Sequence, residues 1–198
     1  MLLLGVAGLF GLSYSQDKSV EMLDRLDRLQ TAQVHAVTAQ VAFKTQIQEW
    51  KNLLLRGGNE KELAAQLARF KEREAAVQAG LKSLRQELTR LRLDASVAER
   101  LSNDHEALGA AYQIALASYR PGTPSTAFTV DASIRGIDRK LNDDIDALAR
   151  SVEKTGDEEL TAFREAGAAR YAMLRTVTLT LGALAVLASF GLVYKTVR

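Results

Sequence analysis

The chain of 198 residues contains no cysteine and only two prolines, and these absences narrow its possible structures. Without cysteine there is no disulfide bond and no thiol chemistry, so an exported domain with this sequence depends on helix packing for its stability. The two prolines, Pro121 and Pro124, lie together and leave long uninterrupted segments on either side. Because β-branched runs are few and no alternating strand pattern occurs, the sequence predicts an all-α protein.

Signatures of catalysis and metal binding are also missing. The two histidines, His35 and His105, lie in different segments, and neither has a cysteine or carboxylate at the spacing of a metal site. A G-x-S-x-G elbow, a phosphate-binding loop and a dinucleotide fingerprint are all absent. The carboxylates alternate with lysine and arginine, as they do on the solvated faces of helices. We therefore expect no enzymatic activity, no bound metal and no cofactor.

A long apolar run without side-chain charge lies at or near each end of the chain. Thr176 to Tyr194 is a run of 19 uncharged residues, of which 13 are hydrophobic. At about 1.5 Å of rise per residue, a helix of this length comes close to the roughly 30 Å of a membrane's hydrocarbon core. The sequence therefore predicts a transmembrane helix over residues 176–194, followed by a short cytoplasmic tail over residues 195–198.

The first 14 residues, Met1 to Tyr14, are equally apolar and have two interpretations. One is a first transmembrane helix whose cytoplasmic start is missing or very short. The other is a secretory signal peptide, for which Ser13-x-Ser15 is a passable cleavage site. The lack of a preceding basic residue, and the continuation past Asp17 without a proline, favour the membrane helix. In both cases the middle segment, residues 15–175, is expected to face the periplasm from the inner (cytoplasmic) membrane.

That middle segment carries all 24 acidic residues and all but two of the 26 basic ones, so it is formally neutral. A nucleic-acid-binding surface needs a clustered basic excess, and none is present. Nucleic acid is therefore excluded as an expected partner, whereas the two apolar ends make the membrane one.

Apolar residues recur in the middle segment at alternating steps of three and four, which is typical of helices that pack along a seam. Glu74 interrupts the longest of these stripes. The four stripes comprise Phe43, Ile47, Trp50 and Leu54; Leu63, Leu67, Phe70, Val77, Leu81, Leu84, Leu88 and Leu91; Val97, Leu101, Leu108, Tyr112, Ala115 and Tyr119; and Leu141, Ile145, Leu148 and Val152.

Breaks between the stripes lie at residues 56–59, 93–96, 121–124 and 135–138. Glycine ends the first helix and Asn59 begins the second, and Asp94 or Ser96 is placed to cap the third. The last break is suited to ending a short helix and beginning a longer one. Helices joined by short connections predict an up-down-up-down four-helix bundle with a transmembrane helix at each end, in which residues 121–137 cross the distal end.

Several segments carry a family resemblance. The run from Phe43 to Gly57 (FKTQIQEWKNLLLRG) resembles the first-helix motif of the periplasmic sensor domains of bacterial methyl-accepting chemotaxis proteins, and some membrane-bound diguanylate cyclases carry a similar module. The resemblance continues in order through Phe70 with residues 72–77, through His105 to Gly109 with Tyr112, and through Ile134 to Arg139. It covers most of residues 44–139, and the sequence departs from it at Lys140-Leu141, where the family has a nearby proline.

This resemblance implies a chemotaxis-type receptor that senses a small extracytoplasmic molecule and transmits a conformational signal through its first and last helices. It also implies a homodimer in which the first helices face each other. Such receptors continue into a HAMP linker and a signalling domain, so we expect either that this chain is a fragment of a longer receptor or that it signals through a cytoplasmic partner. The alternative is a membrane-anchored helical scaffold or interaction protein that has no small-molecule ligand.

A ligand site is predicted where aromatic and charged residues converge near the distal end. Its expected ligand is an amino acid or organic anion, because arginine holds carboxylates with two hydrogen bonds and aromatic side chains form apolar walls. The alternative is that the two aromatic residues are core residues and the charges cap helices. The candidate ligand-binding residues are Trp50, Lys51, Tyr112, Arg135, Asp138 and Arg139.

Overall fold

The protein is helical throughout the part of the chain that the structure describes. The structure, a computed structural model, describes the backbone of residues 2–197 and the side chains of residues 16–191 and 193–195. No strand occurs among these residues, which confirms the all-α prediction. The helices are α1 (Leu2–Arg56), α2 (Glu60–Arg90), α3 (Ser96–Leu116), α4 (Pro124–Ile134) and α5 (Arg139–Val197).

The first turn lies where the glycine pair predicts it. The backbone N–H of Gly57 still donates to the carbonyl of Leu53 at 2.9 Å, and the chain then leaves the helix. Asn59 is extended and its side chain accepts the backbone N–H of Glu62 at 2.9 Å, which satisfies one of the free donors at the start of α2. The predicted helix start at Asn59 is confirmed.

The second turn contains a left-handed residue, Arg92, with φ of 58°. The N–H of Leu93 returns to the carbonyl of Leu88 at 2.9 Å and closes the end of α2. Asp94 accepts the backbone N–H of Ser96 at 2.9 Å, although the residue at the capping position is Ala95. Hydrogen bonding from Ser96, by its side chain first and its backbone N–H second, lowers the pKa of the Asp94 carboxyl.

The region between the prolines and the last helix contains a short helix, as the predicted break at residues 135–138 implies. Gly122, with φ of 75°, makes the turn that Pro121 to Pro124 predicts, and Pro124 then begins the short helix α4. Proline is favoured there because the first helical turn leaves N–H groups unpaired in any case. Gly136, with φ of 83°, separates α4 from α5, so the predicted break at residues 135–138 is confirmed.

Helices α1, α2 and α3 pack with neighbours antiparallel. Trp50 contacts Phe70, whereas Arg25, near the other end of α1, donates to the carbonyl of Leu91 at 2.9 Å. The core is continuous and draws on all five helices: Leu29, Ala32, Ala36, Ala39, Ala42, Phe43, Trp50, Leu53, Leu54, Phe70, Val77, Leu81, Leu84, Leu88, Leu91, Ala98, Leu101, Leu108, Tyr112, Ala115, Tyr119, Val130, Leu141, Ile145, Leu148, Ala149 and Val152.

Most of the predicted stripes are buried, with one displacement on α1. Leu81, Leu84 and Val77 of the longest stripe are essentially inaccessible. On α1, however, Ile47 is only partly buried and its neighbour Gln46 is fully buried instead. Ile47 packs against the core from the edge of the stripe, and Gln46 is fully buried beside it because it makes a specific polar contact inside the core.

The chain divides into two compact units, residues 1–156 and residues 157–198. Within the described residues, one helix is long and apolar enough to cross a membrane, Arg139–Lys195, and its most apolar segment is not covered by protein. Length and composition alone support this, in agreement with the predicted span over residues 176–194. The other predicted span, Met1 to Tyr14, and its alternative as a signal peptide lie outside the residues whose side chains are described.

Candidate functional site

Two of the predicted ligand-binding residues, Trp50 and Tyr112, stack on each other inside the core. Their ring centroids are 4.5 Å apart, and Phe70 completes the group at 5.6 Å from Trp50 and 5.3 Å from Tyr112. Only 4 % of Trp50 and 2 % of Tyr112 are exposed. Aromatic groups at these separations stabilise a core by packing and by favourable ring contacts.

The aromatic group retains unsatisfied polar chemistry. The indole Nε1 of Trp50 is buried and has no hydrogen-bond acceptor in the structure. Burial raises the pKa of the Tyr112 hydroxyl, and the negative charge of Asp138 raises it further. Asp138, another predicted site residue, therefore lies close enough to Tyr112 to affect its ionisation, and the phenol is neutral at physiological pH.

Below the aromatic group, a chain of hydrogen bonds crosses the core from α2 and α3 to α1. The Ser102 hydroxyl donates to Gln78 Oε1 at 2.6 Å, and Gln78 Nε2 lies 2.8 Å from His105 Nδ1. His105 Nε2 lies 2.7 Å from Gln46 Oε1. The amide of Gln78 donates to Nδ1, so the ring is neutral and carries its proton on Nε2, which donates to Gln46. Burial lowers the pKa of His105 to about 4.

Gln46 leaves part of its side chain without a partner. Its Nε2 is buried and makes no hydrogen bond in the structure, as is also true of Gln66 Oε1 on α2. An unpaired buried donor costs roughly 1–3 kcal/mol, which is why such atoms are rare in folded proteins. The polar chain is therefore satisfied at His105 and incomplete at Gln46.

Glu74, the one charged residue of the longest stripe, faces a glycine. A Cβ on Gly109 would contact the Glu74 carboxylate directly, so the absence of a side chain on α3 makes room for it. Glu74 is half-buried, and burial raises the pKa of its carboxyl, an effect that Lys71 partly offsets. Among the described residues, no hydrogen bond or ion pair to Glu74 is present.

The remaining predicted residues lie outside the core. Arg135 is exposed and forms an ion pair with Asp131 at 2.8 Å. Arg139 is exposed at the start of α5, with its side chain against Gly136. Lys51 is exposed on α1 and lines a groove. The structure thus packs Trp50 against Tyr112 in the core, whereas Arg135, Arg139 and Lys51 lie on the surface.

The groove that Lys51 lines has a volume of about 580 Å³ and lies beside the α1–α2 turn, against the start of α4. We call it the tip groove. Its size falls within the range of small-molecule sites, roughly 300–1,000 Å³. It is lined by Lys51, Leu54, Leu55, Gly58, Tyr119, Gly122, Thr123, Pro124, Ala127, Phe128 and Asp131.

The floor of the tip groove is held by Tyr119. Its hydroxyl donates to the backbone carbonyls of Leu54, at 3.3 Å, and Gly57, at 3.0 Å. These contacts join the end of α1 to the end of α3. Sequence patterns placed Tyr119 in an apolar stripe. They did not single out Phe128 or Asp131, because both lie between the two prolines and a glycine, where the sequence resembles a connecting segment.

The structure does not bring metal-binding groups together in its described part. Within those residues, no group of three or more histidine, aspartate or glutamate side chains is arranged to hold a metal ion. His105 accepts a hydrogen bond from Gln78 and donates one to Gln46, and among the described residues no carboxylate orients it as in a catalytic triad.

Comparison of the chain with protein-family models, with curated proteins and with solved structures gave no match.

Proposed function

We propose that the protein is a membrane-anchored sensor of the chemoreceptor type, which binds a small extracytoplasmic molecule and transmits a conformational signal along its last helix. The observation that carries the proposal is the composition of α5. Leu141, Ile145 and Val152 are buried in the helical core, whereas the same helix includes the uncovered, uncharged residues 176–194. A helix with these two parts is suited to connecting a folded module to the bilayer.

In this proposal, α1, α2, α3 and α5 form an up-down-up-down bundle in the periplasm, with residues 1–14 and 176–194 as spans in the inner membrane. The motif resemblance of residues 43–57 and 134–139 supports this arrangement. The connection crossing the end of the bundle contains α4, which supplies one wall of the tip groove. In this proposal the output is chemotaxis or second-messenger synthesis, produced by an output domain or a cytoplasmic partner.

Signal transmission requires that the ligand favour one arrangement of the bundle over another, since a ligand that binds two states equally shifts neither. Packed helices typically slide by about 1–2 Å in such transitions. Besides its buried apolar residues, the first part of α5 is linked to its neighbours by the ion pairs of Lys44 with Asp146 at 3.0 Å and of Arg100 with Asp144 at 3.4 Å. Each pair has a largely exposed basic partner and contributes little to stability, so these two links exchange easily.

The test is a chimera of the chain with a HAMP-linked output domain, exposed to a panel of amino acids and small organic acids. We expect at least one compound to change the output. Insertion of four glycines after Gly167 should abolish that change while binding persists, because glycine weakens helix by about 1 kcal/mol per residue. Gly167→Ala, which has open space around it, is the control that should preserve signalling. Signalling that survives the insertion would show that α5 does not carry the signal.

A membrane-anchored scaffold without a ligand remains the second candidate, because the half-exposed apolar residues of α1 and α4 also suit binding to another protein. The same panel separates the two functions. A scaffold binds none of the compounds and gives no change in output, yet it retains a protein partner in the membrane.

A further inference from the structure

We propose that the tip groove binds an amphipathic organic monoanion, an aliphatic or aromatic carboxylate whose charged group pairs with Lys51. This inference deepens the proposed sensor function and rests on it for its biological role. It differs from the site expected from sequence, which placed the ligand against Trp50 and Tyr112. Those two side chains are buried against each other in the core and leave no space for a ligand between them, whereas the tip groove is open to solvent.

The lining of the groove is mainly apolar and favours a ligand with a hydrocarbon body. Leu54, Tyr119, Pro124 and Ala127 present mainly carbon atoms, and Phe128 stands at the rim. Phe128 is 70 % exposed and Leu55 is 81 % exposed, so two large apolar side chains are left uncovered beside the groove. Burying such apolar surface on binding is favourable because it removes carbon atoms from water. A ligand with a hydrocarbon body gains this energy, and a small polar ion does not.

The charged residues at the groove favour a ligand with a negative charge. Asp131 already pairs with Arg135 at 2.8 Å, so its charge is compensated. Lys51 forms no ion pair or hydrogen bond with any residue that the structure describes. The groove therefore presents one uncompensated ammonium group next to an apolar surface. A monocarboxylate matches both features, whereas an organic cation would meet only Lys51 and a compensated aspartate.

The groove is formed before any ligand arrives. The two hydrogen bonds of Tyr119 fix the end of α1, and a Cβ on Gly122 would lie 3.2 Å from the carbonyl of Gly58, so the two turns touch. Gly122 is also left-handed, which disfavours any other residue there. Pro124 has a fixed φ and begins α4. Rigid walls reduce the entropy lost on binding and favour a defined ligand over a variable contact.

The test is calorimetric titration of the full chain in lipid nanodiscs, with empty nanodiscs as the background. The probes are phenylacetate and hexanoate, with three matched compounds: 2-phenylethanol and 2-phenylethylamine, which keep the aromatic body without the anion, and acetate, which keeps the anion without the body. We expect phenylacetate or hexanoate to bind at least tenfold more tightly than any of the three matched compounds.

Two variants localise the binding. Lys51→Gln removes the charge and should weaken binding about tenfold or more, because a charge-assisted hydrogen bond is lost, whereas Lys51→Arg should retain most of the affinity. Phe128→Ala should weaken binding of phenylacetate and leave the melting temperature nearly unchanged, since the side chain is exposed. Lys61→Gln, an exposed lysine outside the groove, is the matched control and should bind as the unaltered chain does.

The outcomes separate the site from the sensor function. Equal binding of phenylacetate and 2-phenylethanol, unchanged binding in Lys51→Gln, or no binding of either carboxylate overturns the proposed site. So does a change in oligomeric mass in Phe128→Ala without an effect on the probes, which would assign the surface to a second copy. Binding with the expected Lys51 dependence, but without a signal from the chimera, supports the site and contradicts the sensor function.

Discussion

Gly80 of α2 lies directly against Ala39 of α1, and a Cβ on Gly80 would come within 2.9 Å of the Ala39 Cβ and 3.2 Å of its Cα. The obstructing atoms include backbone, which cannot rotate away. The two helices therefore approach each other closely at this level because both residues are small. Ala32 and Ala36 continue the buried, small-residue face of α1 toward its N-terminal side.

We predict that Gly80→Ala destabilises the protein although alanine is the better helix former. The gain in helix propensity is about 1 kcal/mol, whereas overpacking a core typically costs about 1–3 kcal/mol and forces α1 and α2 apart. Gly156→Ala is the control, because it also lies in a helix and has nothing within 4 Å of the added Cβ. Urea unfolding should show opposite signs for the two variants; two stabilising changes would contradict the close approach.

Leu81 and Leu84, at 1 % and 0 % exposure, lie at the centre of the longest stripe. Changing either to alanine should lower the free energy of unfolding by about 2–5 kcal/mol, through lost burial and a residual cavity. Leu55→Ala, at a side chain that is largely exposed, should change it by less than about 0.5 kcal/mol. Circular-dichroism melts of the three variants provide the measurement, and equal melting temperatures would refute the stripe.

Glu74→Leu should be neutral or stabilising. Burial raises the pKa of the Glu74 carboxyl, which means that the charged form is disfavoured in the folded protein, and the structure describes no ion pair that compensates it. Removing the charge therefore removes a penalty. The matched control is Glu72→Leu on the exposed side of α2, where no such gain is expected. Denaturant unfolding at neutral pH distinguishes them, and a large loss at position 74 alone would reveal a buried basic partner.

His105 should make the protein less stable in acid. Its pKa is lowered from 6.5 to about 4 in the folded protein, so the unfolded chain binds the proton more readily. The stability that depends on neutral His105 is fully present above about pH 6.5 and is lost as the pH falls toward 4. Between pH 7 and pH 5 the free energy of unfolding should fall by about 2 kcal/mol through this group. The raised pKa of Glu74 acts in the opposite direction.

Comparison with His105→Gln isolates this effect from the other titrating groups. The variant should lose less stability between pH 7 and pH 5 than the unaltered chain does, as measured by urea unfolding at both pH values. Parallel losses in the two proteins would show that His105 is not buried in its neutral form.

The outer side of α1 predicts a homodimer. Five apolar residues are exposed on one face of α1: Val20, Leu23, Val34, Val37 and Val41. They follow a repeat of three and four residues, in which the two positions between Leu23 and Val34 are polar. Together they form a second stripe that no described part of the chain covers. Because the chain has no cysteine, Val37→Cys provides a single crosslinking site. We expect disulfide-linked dimers from Val37→Cys in membranes and none from the control Ala75→Cys on the exposed face of α2. Failure to crosslink at position 37 would contradict parallel first helices.

Helix positions were predictable because apolar spacing is a local signal. Leu81 and Leu84 are buried where a repeat of three and four residues puts them, and the glycine pair Gly57-Gly58 directly follows the end of α1. Gln46 was missed for the complementary reason. Glutamine is normally expected on the solvent-facing side of a helix. Gln46 is buried because it pairs with His105, which is 59 positions away in sequence and contacts it only when three helices have packed.

The tip groove was less predictable than the helices. Lys51 belongs to a recognisable motif, but the opposite wall comes from α4, whose Phe128 and Asp131 have no local pattern that marks them as site residues. Trp50 and Tyr112 appeared suitable for a ligand because aromatic residues near charges often are. In the structure their rings pack against each other, with centroids 4.5 Å apart. This contact joins two helices, so the spacing of residues along one helix cannot reveal it.

The hydrogen-bond chain from Ser102 through Gln78 and His105 to Gln46 also restricts how the helices can be aligned. A seam made mostly of alanine and leucine packs nearly as well when one helix is displaced by a whole heptad. After such a shift, each residue lies opposite another residue of similar size. Such a displacement would separate His105 from both glutamines and bury several unpaired polar atoms together. The polar residues therefore raise the energy of misaligned bundles, and they do so together with the close contact of Gly80 with Ala39 and the aromatic group.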